Sequence, residues 1–210
     1  PRPDLNQLDR AVEIIKDSKK PLIISGGGAH YSCALEVLKK FVHNTHIPIA
    51  ETFAGKGALR YDDPHQLGAV GVTGTPGANQ ISQEADLIIG LGTRYSDFTT
   101  ASKTAFQNPN VRFININITE FYAAKHGGLM LQGDAKVILI ELMERLKEYR
   151  VSEKYRKQVV DYNHSWEEKV SEIYNYRHPN VMSQGEIIGA LNNFADDNDV
   201  VLLSLIHISE

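Results

Sequence analysis

The 210-residue chain holds one cysteine, Cys33, one tryptophan and three methionines. A lone thiol closes no intramolecular disulfide, so the fold must be held by its core. No stretch reaches about 18 consecutive apolar residues, and no apolar leader core opens the chain, so nothing signals a membrane partner or export. The cytoplasm is the expected compartment. Basic charge is also scarce: 22 Lys and Arg stand against 26 Asp and Glu, for a net charge of -4. With no run of cations to neutralise a phosphate backbone, nucleic acid is excluded as an expected partner. The stretch "EKYRKQ" reads as a solvated helix face. No internal repeat or low-complexity tract appears, which excludes solenoids. Cys33, with no base patterned beside it, reads as a small buried packing residue.

What is present is 42% hydrophobic residues, enough for one well-buried core and part of a second. Leu8, Ala11, Val12 and Ile15 fall at helical spacing and lead into an apolar strand, Pro21 to Ser25. After three glycines, Ser32 is placed to cap a helix striped by Leu35, Leu38, Phe41 and Val42, and Ile47 to Glu51 reads as the next strand. The grammar repeats in "ADLIIGLGT", in the alternating "VRFININI", and in the helix "GDAKVILIELMERLKEYR" with Asp134 as its cap. Strands alternating with helices predict an α/β fold, a Rossmann-like parallel sheet with helices on both faces.

From Val151 to about residue 180 the chain is densely charged and without strand signal, which predicts a helical linker. Ser183-Gln-Gly-Glu186 is a capping box opening a helix with Ile187, Ile188 and Leu191, followed by the apolar "DVVLL" as a strand. The expected organisation is a central domain over 1–150, a linker over 151–180, and the start of a second α/β domain over 181–210.

Glycine at the end of a parallel strand allows a sharp turn and a close backbone approach to a ligand, while the next helix offers free N–H groups to an anion. Three segments have this form: Gly26-Gly27-Gly28, the triplet Gly71, Gly74 and Gly77, and Gly90-Leu91-Gly92. The first has Tyr31 where the dinucleotide fingerprint wants a third glycine. Each segment is readable as a plain turn or as one wall of a shared crevice along the sheet edge. Arg94 suits a bidentate contact with a phosphate or carboxylate, or an ion pair with Asp97. Asn115 and Asn117 end a strand where a ribose-reading carboxylate is often found. His30, His43, His46, His65 and His126 show no paired ligand spacing, and no metal site is expected among them.

The stretch "GAVGVTGTPGANQISQEADLIIGLGTRYSDFTTASK", followed by "VRFININI" and "LQGDAK", resembles the central domain of thiamine-diphosphate-dependent enzymes of the acetolactate synthase group, over roughly residues 8 to 146. "AETFAGKGAL", "GTRYSDFTTASKTAF", "NINI" and "KHGGL" are most similar to the trihydroxycyclohexanedione hydrolase family of myo-inositol breakdown. The resemblance implies an intact enzyme that cleaves a carbon-carbon bond of a cyclic 1,2-diketone with water. It also implies thiamine diphosphate and Mg2+ held outside this segment, a small-molecule substrate, and a homo-oligomer at full length. No residue of this segment is expected to be catalytic.

In flavin-containing relatives the central domain binds FAD, and the matching positions are Gly71, Gly74, Thr75, Arg94 and Asp97. Gly26, Gly28 and Gly92 complete the cofactor-facing set read from the glycine loops. The acidic residue such relatives place near the ribose is Asn117 here, a departure that argues against FAD. The glutamate that activates thiamine diphosphate and the Gly-Asp-Gly motif that holds its metal are both absent from the sequence. From about Ser204, "SLIHISE" departs from the glycine-bearing turn the family pattern expects and reads as foreign sequence. The rival readings are an acetolactate-synthase-like carboligase and a nucleotide-binding module of the same fold that acts by binding alone.

Overall fold

The computed structural model describes residues 2–196 and 198–202. The chain divides into two compact units, Pro1–Trp166 and Glu167–Glu210. The first contains α1 (Leu5–Asp17), β1 (Pro21–Ser25), α2 (Gly27–Tyr31), α3 (Leu35–Thr45), β2 (Ile49–Glu51), β3 (Gln66–Ala69) and α4 (Pro76–Glu84). It continues through β4 (Leu87–Leu91), α5 (Asp97–Thr100), β5 (Arg112–Asn117), α6 (Glu120–Ala123), β6 (Leu129–Gln132) and α7 (Ala135–Arg145). The helix α8 (Glu153–Asn175) starts in this unit.

The six strands form one sheet in the order β3-β2-β1-β4-β5-β6, with every neighbouring pair parallel. This is the doubly wound order expected from the sequence. β1 and β4 are buried at every position, as central parallel strands covered on both faces must be. The connection from β1 to β2 runs toward one sheet edge, and that from β3 to β4 runs back past β1. Right-handed crossovers in opposite directions put α3 and α4 on opposite faces. α3 packs with α7, and α1 also packs on α7.

Local chemistry fixes the helix starts. Asp4 accepts from Gln7 N at 3.0 Å to cap α1, whose Leu8, Ala11, Val12 and Ile15 are buried. Asp134 accepts from Val137 N at 3.0 Å to cap α7, as its position predicts. Ser32 does not cap α3: Ala34 holds the cap position, and Ser32 Oγ donates to Ala29 O at 3.4 Å. The short α2 intervenes, so Ser32 ends one helix instead of starting the next. Cys33 is exposed rather than buried, because it occupies the left-handed turn (φ 51°) between α2 and α3.

The first part of α8 belongs to the central unit. Val151, Tyr155 and Val159 join the core, and the Tyr155 hydroxyl donates to Pro21 O at 3.1 Å. A β-carbon on Gly77 would lie 2.9 Å from Tyr162 Cβ, so glycine lets α4 and α8 pack closely. This apolar stripe runs inside a charged helix. By compactness the first unit runs to Trp166.

Within the second unit, α9 (Gln184–Phe194) starts at Ser183, whose Oγ accepts from Glu186 N at 3.1 Å. Gly185 and Gly189 let it pack on Ile173 and Tyr174, and Arg177 pairs with Glu186 at 3.2 Å. Residues 199–202 of the expected strand "DVVLL" form no strand, and Val200 and Leu202 are exposed. An apolar strand needs neighbours on both edges and faces, and none of the described residues supplies them. The proposed foreign stretch from Ser204 onward lies outside the described residues. No helix of the described residues is long and apolar enough to cross a membrane.

Candidate functional site

The strand order reverses between β1 and β4, and in open α/β sheets the crevice beyond the carboxyl ends of such strands is where ligands bind. A cleft of about 530 Å³ opens there. Of the nine residues expected at a binding site, Gly26, Gly28, Gly92, Arg94 and Asn117 line it.

The glycines face the cleft for a backbone reason. A β-carbon on Gly26 would lie 2.5 Å from Gly92 O, and one on Gly28 would lie 2.7 Å from Gly92 Cα. Gly92 is itself in the left-handed region (φ 59°), where a β-carbon would lie 2.5 Å from Gly28 Cα. The loops after β1 and β4 therefore meet backbone to backbone. Gly26 N donates to Leu91 O at 2.8 Å, and Gly28 N donates to Gly92 O at 3.0 Å. Two of the N–H groups that a phosphate cradle would use are thus committed to protein carbonyls.

Arg94 is exposed, and its guanidinium makes no hydrogen bond or ion pair among the described residues. Asp97 instead accepts from Ser102 Oγ at 3.1 Å. The Asn117 amide ties loops together: its Nδ2 donates to Thr93 O at 3.0 Å, and its Oδ1 accepts from Thr119 N at 3.1 Å. Gly71, Gly74, Thr75 and Asp97 do not line the cleft. Gly71 N and O both bond the Asn79 side chain, at 2.8 and 3.0 Å. Thr75 caps α4 and donates to Leu67 O at 2.6 Å. These residues shape the turn after β3.

Motifs far apart in the sequence converge beside the cleft. The Tyr95 hydroxyl donates to Asn115 Oδ1 at 2.9 Å, and Asn115 Nδ2 donates to Ala123 O and Lys125 O at 3.0 and 2.7 Å. Burial pushes the Tyr95 phenol well up. Tyr95 also stands edge-on to Phe106, Phe113 and His126, and His126 stacks on Phe113 at 4.6 Å. Gly90 makes room for this ring, since a β-carbon there would lie 2.1 Å from the hydroxyl. Gly128 likewise makes room for Phe113 and Asn115. "GLGTRY", "NINI" and "KHGGL" therefore meet in one aromatic-amide assembly, with Tyr95 and Asn115 buried at its centre and His126 exposed at its rim. Glu51 in "AETFAGKGAL" plays a similar part, accepting from Gly57 N at 2.9 Å and from Gln66 Nε2 at 3.0 Å.

At the other edge, before β2 and β3, lies a cluster the sequence spacing did not reveal. Asp63 Oδ2 is 2.6 Å from His43 Nε2, Asp63 Oδ1 is 3.0 Å from His65 Nδ1, and His65 Nε2 is 3.0 Å from His46 Nδ1. Burial lowers both His65 and His46 from their ordinary value, with Arg156 adding to the effect.

The doubly wound sheet and its glycine loops carry the signature of a known domain class. The family model for the thiamine pyrophosphate enzyme central domain matches residues 8–142, and the chain belongs to that family. Among individual relatives, the chain is 47% identical over 175 residues to 3D-(3,5/4)-trihydroxycyclohexane-1,2-dione hydrolase of Bacillus cereus (strain AH820), covering 83% of this chain and 27% of the relative. It is 44% identical over 200 residues to 3D-(3,5/4)-trihydroxycyclohexane-1,2-dione hydrolase of Bacillus thuringiensis (strain Al Hakam), covering 92% of this chain and 31% of the relative. The chain thus spans less than a third of the length of these curated relatives.

Proposed function

We propose that this chain is the central scaffold of a thiamine-diphosphate-dependent hydrolase that opens a cyclic 1,2-dione, trihydroxycyclohexanedione, with water. The observation that carries this reading is the 47% identity to a relative of that name. The convergence of Tyr95, Asn115, His126 and Gly128 supports it, since the motifs that suggest the hydrolase also pack as one unit. The domain scheme belongs to the same proposal: residues 1–150 as the central domain, 151–180 as a helical connection, and 181–210 in a second α/β domain.

Thiamine diphosphate needs a carboxyl group for its aminopyrimidine and oxygen ligands for the Mg2+ on its diphosphate. Among the described residues the cleft is lined by no carboxylate, so its lining does not fit that group. No catalytic step is assigned to this chain. A flavin diphosphate at the first glycine loop is disfavoured by the engaged Gly26 and Gly28 amides and by the engaged Asn117 side chain. For the cleft itself, Gly26, Gly28, Gly92, Arg94 and Asn117 form the proposed binding set, with Arg94 as the contact for an anionic group. Gly71, Gly74, Thr75 and Asp97 support it as turn residues. The proposal extends to a small-molecule substrate, a homo-oligomer at full length and a cytoplasmic location, with no nucleic-acid or membrane partner.

The test is a chimera. Residues 8–142 of this chain replace the corresponding segment of the Bacillus cereus relative, and the product is assayed with the cyclic dione and with pyruvate. Hydrolysis of the dione is the expected result. A folded chimera that binds thiamine diphosphate but leaves the dione intact would contradict the reading.

A further inference from the structure

We propose that His43, Asp63 and His65 bind a divalent cation of the zinc class at the amino edge of the sheet, with His46 orienting His65. The donor set is two imidazoles and one carboxylate, a combination suited to zinc and its first-row neighbours and unsuited to Mg2+ or Ca2+, which prefer all-oxygen shells. One ligand atom from each of the three residues lies within 4.8 Å of the others. A tetrahedral zinc with bonds of about 2.1 Å holds its ligands roughly 3.4 Å apart. The two hydrogen-bonded pairs, at 2.6 and 3.0 Å, open toward that spacing, and the wider separation, within 4.8 Å, closes toward it as the exposed His43 ring turns.

The surroundings are already built for a ligand. Asp63 is 8% exposed, and its Oδ1 also accepts from His65 N at 3.0 Å, which fixes the carboxylate. His65, equally buried, has His46 Nδ1 3.0 Å from its outer nitrogen, an acceptor in the place that a carboxylate, carbonyl or water takes beside other metal-bound imidazoles to fix tautomer and ring plane. His43 stands in the last turn of α3, where the helix carbonyls favour a cation, and its side chain is 43% exposed, free to swing and to leave room for a water ligand. On binding, the proton on His65 Nδ1 gives way to one on Nε2, taken from His46 Nδ1, to which it then donates, while His46 takes up a proton on its own Nε2. The proton on His43 Nε2 moves to Nδ1. No net proton is consumed. Since α3 and the segment before β3 contribute the ligands, the bound ion would join the two elements.

The whole chain, stripped with a chelator, is titrated calorimetrically with ZnCl2 and, separately, with MgCl2. One zinc ion per chain at micromolar affinity or tighter is expected, with a raised melting temperature and no response to Mg2+. His43→Ala alters an exposed side chain and keeps the fold, and it should weaken zinc binding by about tenfold or more. Asp63→Asn should do the same, while His178→Ala, outside the cluster, should leave the isotherm unchanged. Superimposable zinc isotherms for the parent chain and His43→Ala would overturn the site, as would an affinity no tighter than millimolar. Neither outcome depends on the hydrolase reading.

Discussion

At the carboxyl edge of the sheet, the loops after β1 and β4 hold each other by main chain alone, with Gly26, Gly28 and Gly92 stripped of side chains so that N–H and C=O can meet. At the amino edge, the chain segments are caught by carboxylates. Asp86 accepts from Ser18 Oγ and from the N–H groups of Lys19 and Lys20, at 2.8 and 2.9 Å for the latter two. Glu84 accepts from Lys20 and Gln158, and Asp63 is held among three histidine contacts. The difference shows that a glycine-rich strand end need not be an anion cradle. Here the donors such a cradle would offer are already used within the protein.

The largest expected effect follows from the carboxyl edge. Gly92→Ala forces a β-carbon against Gly28 in a left-handed backbone and should cost roughly 3 kcal/mol of stability, read from the urea midpoint. A midpoint unchanged from the parent would mean that the two loops are not in contact, and the comparison would lose one side.

Next comes the amino edge. Asp86→Ala should cost about 2 kcal/mol at neutral pH, because the part-buried Ser18 hydroxyl and Lys20 N–H and the exposed Lys19 N–H lose a charged acceptor. Burial alone would raise both carboxyls, but bonds from Lys20, Gln80 and Gln158 bring Glu84 down to about 2, and Ser18 with the Lys19 and Lys20 amides holds Asp86 below its usual range. Groups depressed in the folded state contribute fully above their unfolded values and lose that contribution as pH falls through the folded ones. Melting temperatures should therefore fall between the ordinary glutamate value of 4.5 and about 2, and the gap between parent and Asp86→Ala should close as pH falls below the ordinary aspartate value of 3.8. Equal sensitivity of Gly92→Ala to this acid range would blur the contrast between edges.

The smallest effect sharpens the account within a single triplet. A β-carbon on Gly27 meets only Ala54, at 3.2 Å or more, apart from a side-chain atom of Tyr31, and Gly27 begins α2, where alanine is favoured over glycine. Gly27→Ala should change stability by less than about 1 kcal/mol. The three adjacent glycines thus have unequal roles.

Much of the fold was legible in the sequence because its signals are local. The stripe Leu8, Ala11, Val12 and Ile15, the cap Asp134, and the uniformly apolar β1 and β4 each lie within one element. The clustering of Gly26, Gly28 and Gly92 was also legible, since all follow parallel strands. What their backbone amides bond to was not, because that depends on a loop more than sixty residues away. Gly71, Gly74 and Thr75 lie in the turn after β3 and Asp97 opens α5, all outside the lining of the cleft. Ser32 misled because the short α2 leaves no pattern of its own, and the stripe Val151, Tyr155 and Val159 went unread because it lies in a densely charged segment. His43, Asp63 and His65 were missed for the opposite reason: separate elements bring them together, so no spacing marks them.

The most direct test of the account is amide hydrogen exchange at Gly26 and Gly28 in the ligand-free chain, followed by NMR. Both N–H groups should be protected to a degree comparable with the amides of β1, and pyrophosphate or ADP should leave them unchanged. Rapid exchange at both that becomes slow on adding pyrophosphate would show the amides to be free and aimed at an anion. That result would contradict the claim that these glycines join two loops.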